Sequence, residues 1–283
     1  MTADLGRYDD WLGWLRERAA EDPDVLVVWV GGSAATGGFD EHSDLDLDVL
    51  CAPGTAGSVH ERWLTAARAD FDLVDVWELP LSTWPDGRQA FLHLEPDPGA
   101  LATPTRIIDL HVSDLSEAHR HVDVRRHGTP IVLHDPDGLV VLRHDDQGAL
   151  AAAMAEAVDQ VRQRQTTAEW LVARALRRGH VAEATSLYLR FGLTPLVQLL
   201  RIEHCPWRYD FGLRYLREDL PGDVAGQVEA LVPGPDLEVR SRACFTWIRE
   251  LLDERPPVAA QPGAEVSSSS SEPSGAAPSA RIP

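Results

Sequence analysis

The stretch that decides this chain is Val30-Gly31-Gly32-Ser33-Ala34-Ala35-Thr36-Gly37-Gly38-Phe39-Asp40-Glu41-His42-Ser43-Asp44-Leu45-Asp46-Leu47-Asp48. It combines two devices. The first is a turn at Gly31-Gly32-Ser33, directly after the β-branched run Val25–Val30, leading into a short helix. A run of that kind reads as a buried strand. Glycine lets backbone N–H groups approach an anion, and a helix N-terminus adds its dipole and unpaired donors. The second device is Asp44-Leu45-Asp46. Alternate residues of a strand share a face, so both carboxylates point one way, roughly 6–7 Å apart at Cα. Like charges so placed repel, and a divalent cation relieves them. Each device alone also has an ordinary reading: Gly-Gly-Ser makes a common turn, and a half-buried strand turns Leu45, Leu47 and Val49 inward and its acids to water.

Outward from this stretch the chain reads as two regions and a tail. An amphipathic helix is expected over Asp4–Ala20, from the spacing of Trp11, Leu12, Trp14, Leu15 and Ala19. Strands are expected at Val25–Val30, Leu45–Cys51, Leu73–Leu79, Ala90–Glu95, Arg106–Val112 and Ile131–Leu133, with a helix over Ser58–Ala69. From Gln147 the pattern is helical: Ala149–Gln165, Thr167–Arg178, Ala182–His204, Gly222–Leu231 and Asp236–Glu254. The expected organisation is an α/β (α+β) domain over 1–147, an all-helical domain over 148–254, and a Ser/Pro/Ala/Gly-rich disordered tail over 255–283.

Composition narrows the partners. Of 283 residues, 45 are acidic and 26 basic, and every basic residue is arginine, because the chain has no lysine. Residues 1–147 carry 28 Asp/Glu against 11 Arg, net −17, and the remainder carries 17 against 15, net −2. That field repels a nucleic-acid backbone and attracts cations. No apolar run approaches the roughly 20 residues of a membrane span. The N-terminus lacks a signal pattern, and Cys51, Cys205 and Cys244 lack metal-ligand spacing, so a cytoplasmic protein with reduced thiols is expected.

Taken together the two devices give Gly-Ser-x10-Asp-x-Asp, with ten residues between Gly32-Ser33 and Asp44. This resembles the signature of the DNA polymerase β-like nucleotidyltransferases, including bacterial aminoglycoside adenylyltransferases and the small "minimal" nucleotidyltransferases. The resemblance implies a nucleotidyltransferase domain with a small mixed sheet, Gly32 and Ser33 holding nucleotide phosphates, and Asp44 and Asp46 binding Mg2+, two ions being expected. It further implies a third metal-binding and catalytic carboxylate on a neighbouring strand. Asp75 and Asp109 both sit between apolar strand residues. Asp109 is preferred, because Ile108-Asp109-Leu110, followed by Asp114 and by Thr129–Asp137, looks like the corresponding segment of aminoglycoside 6-adenylyltransferase-type enzymes. Asp48 is read as a supporting acid and His111 as structural. Arg190 and Arg201 are candidate triphosphate contacts.

The helical half is less diagnostic. His204–Leu216 is similar to segments in C-terminal domains of bacterial nucleotidyltransferases, but Trp207, Phe211, Tyr215 and Leu216 also suit helix packing, with Arg214 paired to Asp210. The implied activity is transfer of a nucleoside monophosphate, AMP from ATP first, to a hydroxyl acceptor with release of pyrophosphate. The expected acceptor is a cationic small molecule such as an aminoglycoside, an antibiotic-resistance chemistry. The alternatives are a toxin-type enzyme acting on tRNA or protein, and a non-catalytic nucleotide-binding or antitoxin module.

Overall fold

The computed structural model describes residues 5–94 and 106–255. Apart from Arg255, the expected tail lies outside the described residues. The chain divides into two compact units, each built from two segments: Met1–Met154 with Val197–Glu229, and Ala155–Leu196 with the described residues from Ala230 on. The change of character near residue 147 marks the start of a long helix, while the sheet-bearing unit also takes in Val197–Glu229.

The first unit is mixed α/β. A 3-10 turn at Gly6–Tyr8 leads into α1 (Asp9–Glu21), then β1 (Val25–Val30), α2 (Gly32–Thr36), β2 (Leu45–Cys51), α3 (Ala56–Asp70), β3 (Asp75–Glu78), β4 (Gly87–His93) and β5 (Ile107–Asp114). After these come β6 (His121–Val122), α4 (Val124–His127), β7 (Ile131–His134) and β8 (Val141–Leu142). Six strands form one mixed sheet in the order β3-β4-β5-β2-β1-β7. Only β2 and β5 run parallel in it; the other neighbours are antiparallel. A separate parallel pair, β6 with β8, was not apparent in the sequence.

One sheet face packs on α1 and α3. Their buried residues include Trp11, Leu15, Val59 and Trp63, and β2 contributes Leu45, Leu47 and Val49, each at most 1 % exposed. Truncating Leu45 or Leu47 to alanine would cost about 2–5 kcal/mol. Strand side chains alternate, so burying them fixes the phase of β2 and turns Asp46 and Asp48 to the opposite face.

Helices follow: α5 (Gln147–Arg177), α6 (Val181–Tyr188), a π-helical turn (Leu189–Leu193), α7 (Thr194–His204), α8 (Leu216–Asp219), α9 (Gly222–Ala230) and α10 (Leu237–Asp253). Two helices were expected where α5 runs unbroken, because no Gly or Pro interrupts residues 149–178. One helix was expected over 182–204, where the π turn intervenes. At Gly192 a side chain would stand 2.9 Å from the Tyr188 ring, so the wide turn is closed by glycine. In the second unit the Tyr188 hydroxyl donates to Leu231 O (2.8 Å) and Arg249 pairs with Glu169 (2.5 Å). Among the described residues no helix is long and apolar enough to cross a membrane.

Candidate functional site

The face of the sheet opposite α1 and α3 carries the predicted acids. In the parallel β2–β5 ladder Asp46 stands directly beside Asp109, and Asp48 beside His111. Neighbouring strands lie about 4.8 Å apart, so Asp46 and Asp109 are adjacent on one face. Asp44 precedes β2 by one residue. The Tyr8 hydroxyl, wholly buried, ties the two strand entries together: it lies 3.1 Å from Ser43 O and 3.3 Å from Ile107 O, and accepts from Ile107 N–H at 3.3 Å. Asp75 is elsewhere. It lies on edge strand β3, paired with His93, and β3 is three strands from β2, roughly 14 Å away.

The electrostatics follow from this crowding. Burial pushes the Asp46 carboxyl up to about 7, helped by the charges of Asp44, Asp109 and Asp48 and opposed by Arg214. Asp109 is also raised, first by burial, and is held back by a hydrogen bond from Gln89. Gln89 Nε2 donates to Asp109 Oδ1 (2.7 Å), while Trp84 Nε1 donates to Gln89 Oε1 (2.8 Å). An indole N–H can only donate, so the Gln89 oxygen must face Trp84 and its NH2 must face Asp109. Asp48 accepts from His111 Nδ1 (3.0 Å).

The Gly-Ser turn abuts the same acids. Gly31 N–H donates to Asp46 O (2.9 Å). Gly32 has φ +54°, and a Cβ there would stand 1.7 Å from Asp46 Oδ2. Only glycine admits both the backbone and the carboxylate. The Ser33 Oγ is buried and has no hydrogen-bond partner among the described residues, an orphan that a ligand oxygen would satisfy.

Facing the acids is an arginine-bearing wall drawn from α4 and residues 206–215. A cavity of about 480 Å³ is lined by Gly32, Thr36, Asp46 and Asp48 on one side, and by Arg126, Arg208, Phe211, Arg214 and Tyr215 on the other. Asp123, 4 % exposed, caps α4 by accepting from Arg125 N and Arg126 N, and also accepts from Asp145 N, so α4 is held where Arg126 reaches the cavity. Arg126 donates to Trp207 O (2.9 Å) and Asp210 Oδ2 (2.7 Å) and lies over the Phe211 ring. Asp210 is therefore engaged by Arg126 and not by Arg214. The expected i,i+4 pair does not form because residues 206–215 are a 3-10 turn and loop, with Tyr215 left-handed (φ +54°).

Arg201 is not a ligand contact. Fully buried, it pairs with Asp219 (2.5 Å), donates to Gly212 O (3.0 Å) and to Arg214 O, and so ties down the loop that presents Arg208 and Arg214. Arg190 lies exposed in the second unit, over Phe191. Arg214 is exposed, donates to Tyr215 OH (3.0 Å), and has no carboxylate partner among the described residues. The signal in sequence was the Arg/aromatic density of 207–215, which suits packing equally well.

These hard oxygen donors suit magnesium by chemistry. Among the described residues, however, no group of three His, Cys, Asp or Glu side chains is already disposed to hold a metal ion. No protein-family model and no curated protein matches this chain.

Proposed function

We propose that the chain is a metal-dependent nucleotidyltransferase of the polymerase β-like kind, moving a nucleoside monophosphate, AMP from ATP first, onto a hydroxyl of a cationic small molecule and releasing pyrophosphate. The observation that carries this reading is the in-register Asp46–Asp109 pair abutting Gly32-Ser33, with arginines across the same cavity.

Each group has a role its environment supports. Gly32 and the unpartnered Ser33 hydroxyl receive phosphate oxygens. Arg214, exposed and unpaired with carboxylate, meets the remaining triphosphate charge, with Arg126 and Arg208 behind it. Asp44, Asp46 and Asp109 hold the Mg2+ ions, which when bound supply charge neutralisation at the reacting phosphate. Asp109, beside Asp46 in the register, would also accept the acceptor hydroxyl's proton. The acceptor oxygen then forms its bond to the α-phosphorus as the bond to the β-phosphate oxygen breaks. Gln89, fixed by Trp84, keeps Asp109 aimed.

The test is pyrophosphate release from a panel of nucleotides and acceptors with magnesium, on Asp109→Asn and Asp75→Asn variants. Asp109→Asn should lose on the order of 10²–10⁴-fold in rate, and Asp75→Asn should stay within a few-fold of wild type. The reverse ranking would refute the assignment of Asp109. Label transferred to RNA and never to a small cation would replace the acceptor class.

A further inference from the structure

Asp44 stands just outside the ladder that holds the other two acids. The β2–β5 register begins at Leu45 beside Ile108, so strand pairing fixes Asp46 and Asp109 but stops short of Asp44. Its charge is nevertheless felt by both, being among the causes that raise Asp46 and Asp109. Like charges gathered at one end of a strand pair push the two strand entries apart.

Tyr8 opposes that push. Wholly buried, it ends the 3-10 turn Gly6–Tyr8. Its hydroxyl accepts from Ile107 N–H (3.3 Å) and offers its one proton to Ser43 O (3.1 Å) and Ile107 O (3.3 Å). Ser43 is the residue before Asp44, and Ile107 is two before Asp109, so the hydroxyl carries the ladder across the gap where β2 has not begun. Packing alone does not call for it: the ring meets Phe39 edge-on (6.1 Å), a contact phenylalanine would make equally. The turn itself is fastened to the same two places. Arg7 donates to Glu41 O, in the loop leading to Asp44, and Arg106, at the entry to β5, donates to Arg7 O (3.0 Å).

We propose that this N-terminal turn is a positioning clasp for the cation site, in which the Tyr8 hydroxyl sets how far the strand entry bearing Asp44 stands from the one bearing Asp109. The proposal rests on the nucleotidyltransferase reading and deepens it, by assigning Tyr8 and Arg7 to the geometry of the acids. Tyr8 touches no reacting atom; it acts through the backbone of Ser43 and Ile107.

The test is metal binding, which needs no turnover. Mn2+, an oxygen-seeking stand-in for Mg2+, is titrated alone into the full-length protein and followed by the paramagnetic resonance of the free ion, with urea midpoints measured on the same samples. Tyr8→Phe, Arg7→Ala and Val59→Ala are compared with wild type. Val59 is fully buried on α3, which packs on the sheet face away from the acids, so Val59→Ala leaves a cavity without touching the clasp. Tyr8→Phe should weaken Mn2+ about 10-fold, and Arg7→Ala by more than about two-fold. Losing a positive charge would by itself favour a cation, so weakening in Arg7→Ala reports geometry. Val59→Ala should bind as wild type does, at a lower urea midpoint. Wild-type affinity in Tyr8→Phe, or equal weakening in Val59→Ala, would overturn the clasp. Should Tyr8→Phe fail to fold, Arg7→Ala decides alone, and wild-type affinity there overturns it. If wild type binds Mn2+ and the variants match it, only the clasp falls; if wild type binds none, the cation site falls and the clasp with it.

Discussion

Replacing Gly32 by alanine should damage the site far more than the fold, and the structure allows the two costs to be separated. The backbone at Gly32 is left-handed (φ +54°), which costs an alanine about 1 kcal/mol. The new Cβ would also stand 1.7 Å from Asp46 Oδ2, 2.4 Å from its Cγ and 3.0 Å from its Cβ. Asp46 cannot keep its rotamer against those contacts. Moving it costs a further ~0.5–1.5 kcal/mol, for a total of about 2 kcal/mol. Gly37 is the control: it too is left-handed (φ +82°), but a Cβ there meets nothing within 4 Å. Gly37→Ala should therefore lose about 1 kcal/mol in urea denaturation and keep magnesium-dependent nucleotide binding. Gly32→Ala should lose about 2 kcal/mol and most of that binding. The reasoning is refuted if both variants unfold at the same midpoint and bind nucleotide alike.

Two further outcomes follow from the same geometry. The Asp46 carboxyl is raised from 3.8 to about 7 in the folded protein, so the native state holds its proton more tightly; without divalent cations, stability should fall as pH rises from about 4 to 7. Asp46→Asn should flatten that slope and stabilise the cation-free protein by about 2–4 kcal/mol at pH 8, measured as urea midpoints across pH; a slope equal to wild type would refute the burial argument. Arg201→Ala should cost about 3 kcal/mol, because it leaves three loop carbonyls without their donor and leaves Asp219 to Arg208 alone; thermal unfolding within 1 °C of wild type would refute it.

Much of this was legible in the sequence, for identifiable reasons. Leu45, Leu47 and Val49 alternate with Asp46 and Asp48, and period-two burial fixed which face the acids occupy. Asp109 was preferred to Asp75 on resemblance, and the register now sets it beside Asp46 while Asp75 sits at the sheet edge. What could not be read was anything that depends on pairing between distant segments. Asp123 looks like any acid before a basic run, yet it anchors α4. The Arg201 guanidinium looked available for phosphate and is instead consumed by backbone carbonyls of its own loop. The Trp84–Gln89–Asp109 chain needs the β4–β5 register, which periodicity does not supply.

The single parallel pairing in the main sheet has a consequence for how the molecule comes together. Asp46 and Asp109 are 63 residues apart in sequence, and parallel neighbours cannot be joined by a tight turn. Between β2 and β5 the chain carries α3, β3 and β4. Contacts of such long range close late and slowly. Ile108, Leu110 and Val112 of β5 share one core with Trp11 and Trp63, so during refolding tryptophan burial and the meeting of the two carboxylates should recover together, and a cation that bridges the acids would act on that step. A chain stalled just before that step would lack its chemistry and the middle of its core together.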